Sequence, residues 1–149
     1  MRPNRLVGGD RRCTLVSASC TTSWFDWIHG ELWLCEDGLF RRSLGLLKTI
    51  AHVVGPTVDP ANRPTRTFAS TEILEIVTRG RRNRWIPWTE IQHATLELGM
   101  AGNSLHLDLT GDRREKFLWL AVDRGYEFLE KELPARLPGR FTASEKRIG

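Results

Sequence analysis

With 149 residues, 40% of them hydrophobic and 27% charged, the chain has the length of one globular domain and can bury a core without a disulfide framework or a structural metal. Its net charge of +4 favours weak attraction to anions but falls far short of a histone-like polycation. This balance excludes fibrous and disordered classes, and no stretch approaches the roughly 18 consecutive apolar residues of a membrane span.

Met1 to Asp10 carries Arg2 and Arg5 without an apolar core or a cleavage-site pattern, so the sequence points to a cytoplasmic protein with a flexible N-terminus over residues 1–11. Cys13, Cys20 and Cys35 are odd in number and show no CxxC spacing. Their expected state is therefore reduced thiols serving as small core hydrophobes. Together with His29 they lack the tight ligand pair of a closed zinc site, and no metal is expected. Arg12 to Ser19 reads as a first strand and Ser23 to Ile28 as a second, with Trp24, Trp27 and Trp33 filling a β-core. Glu31–Cys35 and Leu39–Leu44 flank Glu36-Asp37-Gly38, and Asp-Gly between apolar runs predicts a hairpin. Leu44, Leu47, Ile50, Ala51 and Val54 share one helical face that Gly55-Pro56 would end. Residues 55–66 hold three prolines and no periodicity, which predicts a loop. Ser70 or Thr71 can cap a helix with Ile73, Leu74 and Val77 on its apolar side and Gly80 at its end.

Arg79, Arg81, Arg82 and Arg84 form the densest basic cluster, directly before Trp85 and Trp88. Arginines beside exposed aromatics are the combination that contacts nucleic-acid backbones and anionic membrane surfaces, so these six residues are the candidate binding site, against the plainer reading of a solvent-exposed turn whose charges serve only solvation. Beyond them, Ala94, Leu96 and Leu98 alternate with polar residues, as do Leu105, Leu107 and Leu109. The intervening Gly-Met-Ala-Gly-Asn predicts an antiparallel hairpin. Thr110-Gly111-Asp112 marks a second turn into a strand over 116–122. Asp123 can cap a helix whose Tyr126, Leu129 and Leu133 recur at helical spacing, limited by Pro134 and Pro138.

This order, a hairpin, a helical insertion, Trp85-Ile86-Pro87-Trp88-Thr89-Glu90-Ile91, two alternating strands and a terminal amphipathic helix, resembles bacterial pleckstrin-homology-like domains. Their late strands follow a segment of the form Ile-Pro-Trp-x-x-Ile. The resemblance covers about residues 31–137. It implies a mainly β (α+β) fold, a strongly bent antiparallel sheet or partly open barrel of about seven strands, with one end plugged by the C-terminal helix. Residues 12–137 would form the single domain, with a helical insertion at about 45–80, and residues 138–149 a flexible tail. The basic loop that carries lipid in some relatives is not transferable, because Arg41 and Arg42 leave the first hairpin while the denser cluster lies elsewhere.

The resemblance implies a non-catalytic binding or scaffolding role, with a protein partner or self-association favoured. The rival reading is an anionic lipid or nucleic-acid binder using the Arg79–Arg84 cluster. The third is an unrecognised enzyme. For the last, His29, His52, His93 and His106 are scattered, and no GxSxG or phosphate-cradling loop is present. His52 with Asp59 pairs on paper only, and His106 with Asp108 falls on the solvent face of one strand. No cofactor, metal or nucleotide, is expected.

Overall fold

The computed structural model describes residues 6, 8–22, 29–43, 62–100 and 102–145. The expected strand at 23–28 with Trp24 and Trp27, the expected helix at 44–54, His52 and Asp59 lie outside the described residues, as does most of the proline-rich loop. Within them the chain is mainly β, with nine strands and two α-helices: β1 (Asp10–Cys20), β2 (Gly30–Cys35), β3 (Gly38–Ser43), β4 (Thr65–Ala69), α1 (Ser70–Arg79), β5 (Arg84–Pro87), β6 (Ile91–Leu98), β7 (Gly102–Leu109), β8 (Arg113–Leu120), α2 (Gly125–Arg136) and β9 (Phe141–Glu145). They form a five-stranded sheet, order β4-β1-β2-β3-β5, and a four-stranded sheet, order β8-β7-β6-β9. Neither closes into a barrel. The sheets meet at an isolated bridge between Thr21 and Leu118, each donating its N–H to the other's carbonyl at 2.8 Å.

The hairpins follow from local chemistry. β2 and β3 pair antiparallel with Leu34 opposite Leu39, and Gly38 sits where a Cβ would stand 2.5 Å from the Ile86 carbonyl. β6 and β7 pair with Leu96 opposite Leu105, which turns the apolar set of both strands to one face. The turn into β8 places Gly111 at φ 74°, the left-handed region glycine tolerates.

Two cores result. The first lies between the sheets and under α2, where Leu32, Leu34, Leu39, Ile86, Trp88, Leu96, Leu105, Leu107, Phe117 and Leu129 are buried. The second lies on the opposite face of the five-stranded sheet, where Leu15, Trp33, Phe40 and Phe68 pack with Ile73 and Val77 of α1. Phe68 meets both Trp33 and Phe40 edge to face at 5.2 Å. β4 extends the sheet beside β1, and α1 covers that face as a third layer.

Several expectations are corrected. Cys13 and Cys35 are opposite one another on β1 and β2 and form a disulfide, with Cα atoms 4.2 Å apart; Cys20 keeps a buried thiol outside that bond. Sequence spacing cannot show this because strand register brings the pair together. Strands reach into both stretches expected to be flexible, β1 from Asp10 and β9 over Phe141–Glu145. Arg11 is buried, with its guanidinium on Asp37 at 2.9 Å, and β9 pairs parallel with β6. Ser70 does not cap α1, since its hydroxyl donates to the carbonyls of Gly8 and Gly9 at 2.6 and 2.9 Å; Ala69 holds the cap position. Asp123 does not cap α2 either. A 3-10 turn over 121–123 and Arg124 at φ 51° intervene, and its carboxylate serves Ser17 and Ser19 of β1 instead. Pro134 sits in the last turn of α2, whose end is closed by the Leu137 N–H on the Leu133 carbonyl at 2.8 Å. A proline there removes one N–H without ending the helix at once.

Arg63 fastens the segment before β4 to β1 and to the turn before α2. Its guanidinium donates to the carbonyls of Leu15 and Val16 at 3.1 and 2.9 Å and to those of Asp123 and Arg124 at 2.8 Å each, and stands 4.8 Å from the Phe128 ring centroid. Burial lowers its pKa, and Asp123 and Glu127 act against that shift.

Candidate functional site

The six sequence-predicted site residues run from the end of α1 through a turn into β5, and they divide by where their side chains go. Arg79 pairs with Glu75 one helical turn back, both exposed, a contact of small energetic weight. Arg81 and Arg82 are exposed on the turn, and the Arg82 carbonyl accepts from the wholly buried Arg41 at 2.7 Å. Arg84 donates from Nε to Glu115 of β8 at 2.9 Å. Trp88 belongs to the first core, 8% exposed, its indole N–H on the Glu36 carbonyl at 3.0 Å. Trp85 is half-buried against the second core with the Arg11 guanidinium 5.1 Å from its ring centroid. The arginines reach the surface, but neither Trp85 nor Trp88 is fully exposed beside them.

The Arg84–Glu115 pair brings together two basic stretches that lie far apart in sequence. Along β8, Arg113 shares the side of Glu115, whereas Arg114 and Lys116 alternate to the other side of the strand. Acids interleave with them: Arg113 reaches Glu90 at 3.4 Å and Arg114 reaches Asp108 at 3.5 Å. A shallow pocket of about 340 Å³ opens on this side, lined by Thr22, His106, Asp108, Arg114, Glu115 and Lys116. A second, of about 420 Å³, lies between α1 and β3, with Arg42, Glu72, Glu75, Arg79 and Asn83 on its walls.

The titratable groups on the outer face of the four-stranded sheet form local contacts. His106 Nε2 lies 3.2 Å from Ser104 Oγ and 3.7 Å from Glu97 Oε2. Both contacts use the same ring nitrogen, whereas a nucleophile–base–orienter relay uses the two nitrogens separately. His93 Nε2 lies 3.0 Å from Thr142 Oγ1. His29 is half-buried at the start of β2. Among the described residues no three His, Cys, Asp or Glu side chains stand close enough to hold a metal ion, and no helix is long and apolar enough to cross a membrane.

A different surface escapes sequence reading. The large hydrophobic side chains that the described residues leave exposed are Met100, Leu120 and Val122, at 79%, 47% and 64%. β7 pairs with β8 so that Gly102 is opposite Leu120, which sets the Met100 turn beside the end of β8 and gathers the three at one end. Alternation along β8 marks Leu120 as outward-facing, but only the register reveals its neighbours. The chain matches no protein-family profile, and no curated protein matches it in sequence.

Proposed function

We propose that this chain is a non-catalytic binding module of the pleckstrin-homology-like class that docks a protein partner through the apolar end formed by Met100, Leu120 and Val122. The observation that carries this reading is their concentration at one end, since scattered exposed apolar side chains are ordinary whereas gathered ones mark contact surfaces. The charged, exposed Arg124 and Glu127 stand next along the chain and supply the polar rim expected of such a surface. The class assignment rests on the succession of hairpin, three-stranded meander and packed C-terminal helix. The cytoplasmic location expected from the sequence rests in part on reduced thiols, and the disulfide withdraws that support.

Retention of host proteins on immobilised protein tests the proposal. A Met100→Asp, Leu120→Asp, Val122→Asp variant that keeps its melting temperature should lose the retained proteins, and loss should be insensitive to salt. Unchanged retention overturns the reading.

A second reading is favoured by the Arg84–Glu115 contact, which ties the basic turn carrying Arg81, Arg82 and Arg84 to β8 with its Arg113, Arg114 and Lys116. These stretches would hold an anionic surface through their charge alone. Binding to phosphatidylserine vesicles or single-stranded DNA should then fall steeply with ionic strength and vanish in an Arg81→Ala, Arg82→Ala, Arg114→Ala variant. Salt-independent binding, or none, removes this alternative.

A further inference from the structure

Cys13 and Cys35 are directly opposite one another on neighbouring strands, 1% and 0% exposed. Both side chains belong to the core under α1, alongside Leu15, Trp33, Phe40, Phe68, Ile73 and Val77; neither belongs to the core between the sheets. The bond ties β1 to β2, while the other edge of β1 holds β4, and β4 runs straight into α1. Two residues before Cys13, Arg11 joins the same assembly by donating to Asp37 at 2.9 Å and to Ser70, the first residue of α1, at 2.8 Å. We propose that the Cys13–Cys35 disulfide is a redox-sensitive fastener of the second core, coupling the thiol state of β1 and β2 to the docking of α1.

The chemistry is two-electron thiol–disulfide exchange with a dithiol. One thiolate of the dithiol attacks a sulfur of the pair, forming a mixed disulfide and releasing the other cysteine as a thiol. The second dithiol sulfur then displaces the remaining cysteine, so the dithiol leaves as its own disulfide and both cysteines carry protons. Because both sulfurs are buried, attack requires the α1 layer to lift, and docked α1 shields the bond. Linkage makes the relation reciprocal: whatever docking does for the oxidised pair, the oxidised pair does for docking. Reduction also leaves two unbonded thiols where a bonded pair fitted, and these occupy more room in a packed layer. The effect should be confined to one side of the molecule, because the first core lies across the five-stranded sheet from the bond.

Hydrogen exchange of the full chain, followed by mass spectrometry with and without dithiothreitol, reads this directly. Alkylation under denaturing conditions should label one cysteine before reduction and three after. On reduction, amides of β4 and α1 should exchange at least tenfold faster while those of β6, β7 and β8 keep their rates. In the converse measurement, Ile73→Ala should speed reduction by dithiothreitol at least tenfold. The proposal is overturned by three labelled cysteines in the protein isolated without reductant, by unchanged exchange after complete reduction, or by equal acceleration in both sheets. It is overturned equally by a reduction rate that does not respond to Ile73→Ala.

Discussion

Ser17 of β1 donates a 2.5 Å hydrogen bond to the wholly buried carboxylate of Asp123, 106 positions further along the chain. Ser19 donates to the same oxygen at 2.6 Å, and its own hydroxyl accepts the Leu120 N–H at 3.1 Å. The first strand is thereby tied to the turn that launches α2. Asp123→Ala should cost about 1.5–3 kcal/mol, the range for hydrogen bonds to a charged group, since its loss leaves buried donors without their acceptor. Asp123→Asn retains an acceptor oxygen and should cost less. Urea denaturation measures both, and a loss under about 0.5 kcal/mol for the alanine variant would place the cluster among surface substitutions.

Arg63 offers a sharper test of side-chain geometry. Its two terminal nitrogens serve four carbonyls on two separate elements, an arrangement that a planar guanidinium satisfies and an ammonium does not. Arg63→Met should lower stability by about 2–3 kcal/mol. Arg63→Lys should fall nearer to the methionine variant than to the parent, and a fully stable lysine variant would mean that charge rather than the fork is what matters.

Two glycines should fail on substitution for different reasons. A Cβ at Gly125 would stand 2.6 Å from Trp119 Nε1 and 3.0 Å from Val16 Cγ1, so Gly125→Ala forces a packed core to move and should cost about 1–3 kcal/mol. Gly111 has open space around it but sits at φ 74°, so Gly111→Ala meets backbone strain of about 1–2 kcal/mol. Comparing Gly111→Ala with Gly111→Asn in thermal unfolding isolates the backbone strain, because asparagine tolerates this conformation and should recover part of the loss.

Leu107 and Met100 mark the contrast between core and surface. Leu107 is 1% exposed in the core between the sheets, and Leu107→Ala should cost about 2–5 kcal/mol. Met100→Ser, at a side chain 79% exposed, should change stability by no more than about 0.5 kcal/mol while weakening partner binding.

What the sequence makes legible follows from how many faces of each strand are buried. β6 and β7 present one face to the core and one to solvent, so alternation of Ala94, Leu96 and then Leu105, Leu107, Leu109 with polar residues locates them. Asp37-Gly38 locates the β2–β3 hairpin because the turn itself restricts residue type. β1, β2 and β3 are buried on both faces, so their runs lose the alternation and conceal which residues face which core. Trp88 reads as a surface candidate beside four arginines, yet it turns inward once Pro87 and the following 3-10 turn redirect the chain. The disulfide and the placement of Met100, Leu120 and Val122 arise from pairing register, and the Arg84–Glu115 contact from the approach of the two sheets; no local window of residues contains either.

β9 has a consequence for biogenesis. It leaves the ribosome after its partner β6, whose residues precede it by about fifty positions in a chain made from the N-terminus onward. Until Phe141–Glu145 arrive, the hydrogen-bonding groups along that side of β6 have no strand to pair with, and such a bare margin invites pairing with another nascent chain. Ribosome stalling or premature termination after Pro138 should therefore yield sticky, self-associating products although every residue of the two cores has already been synthesised.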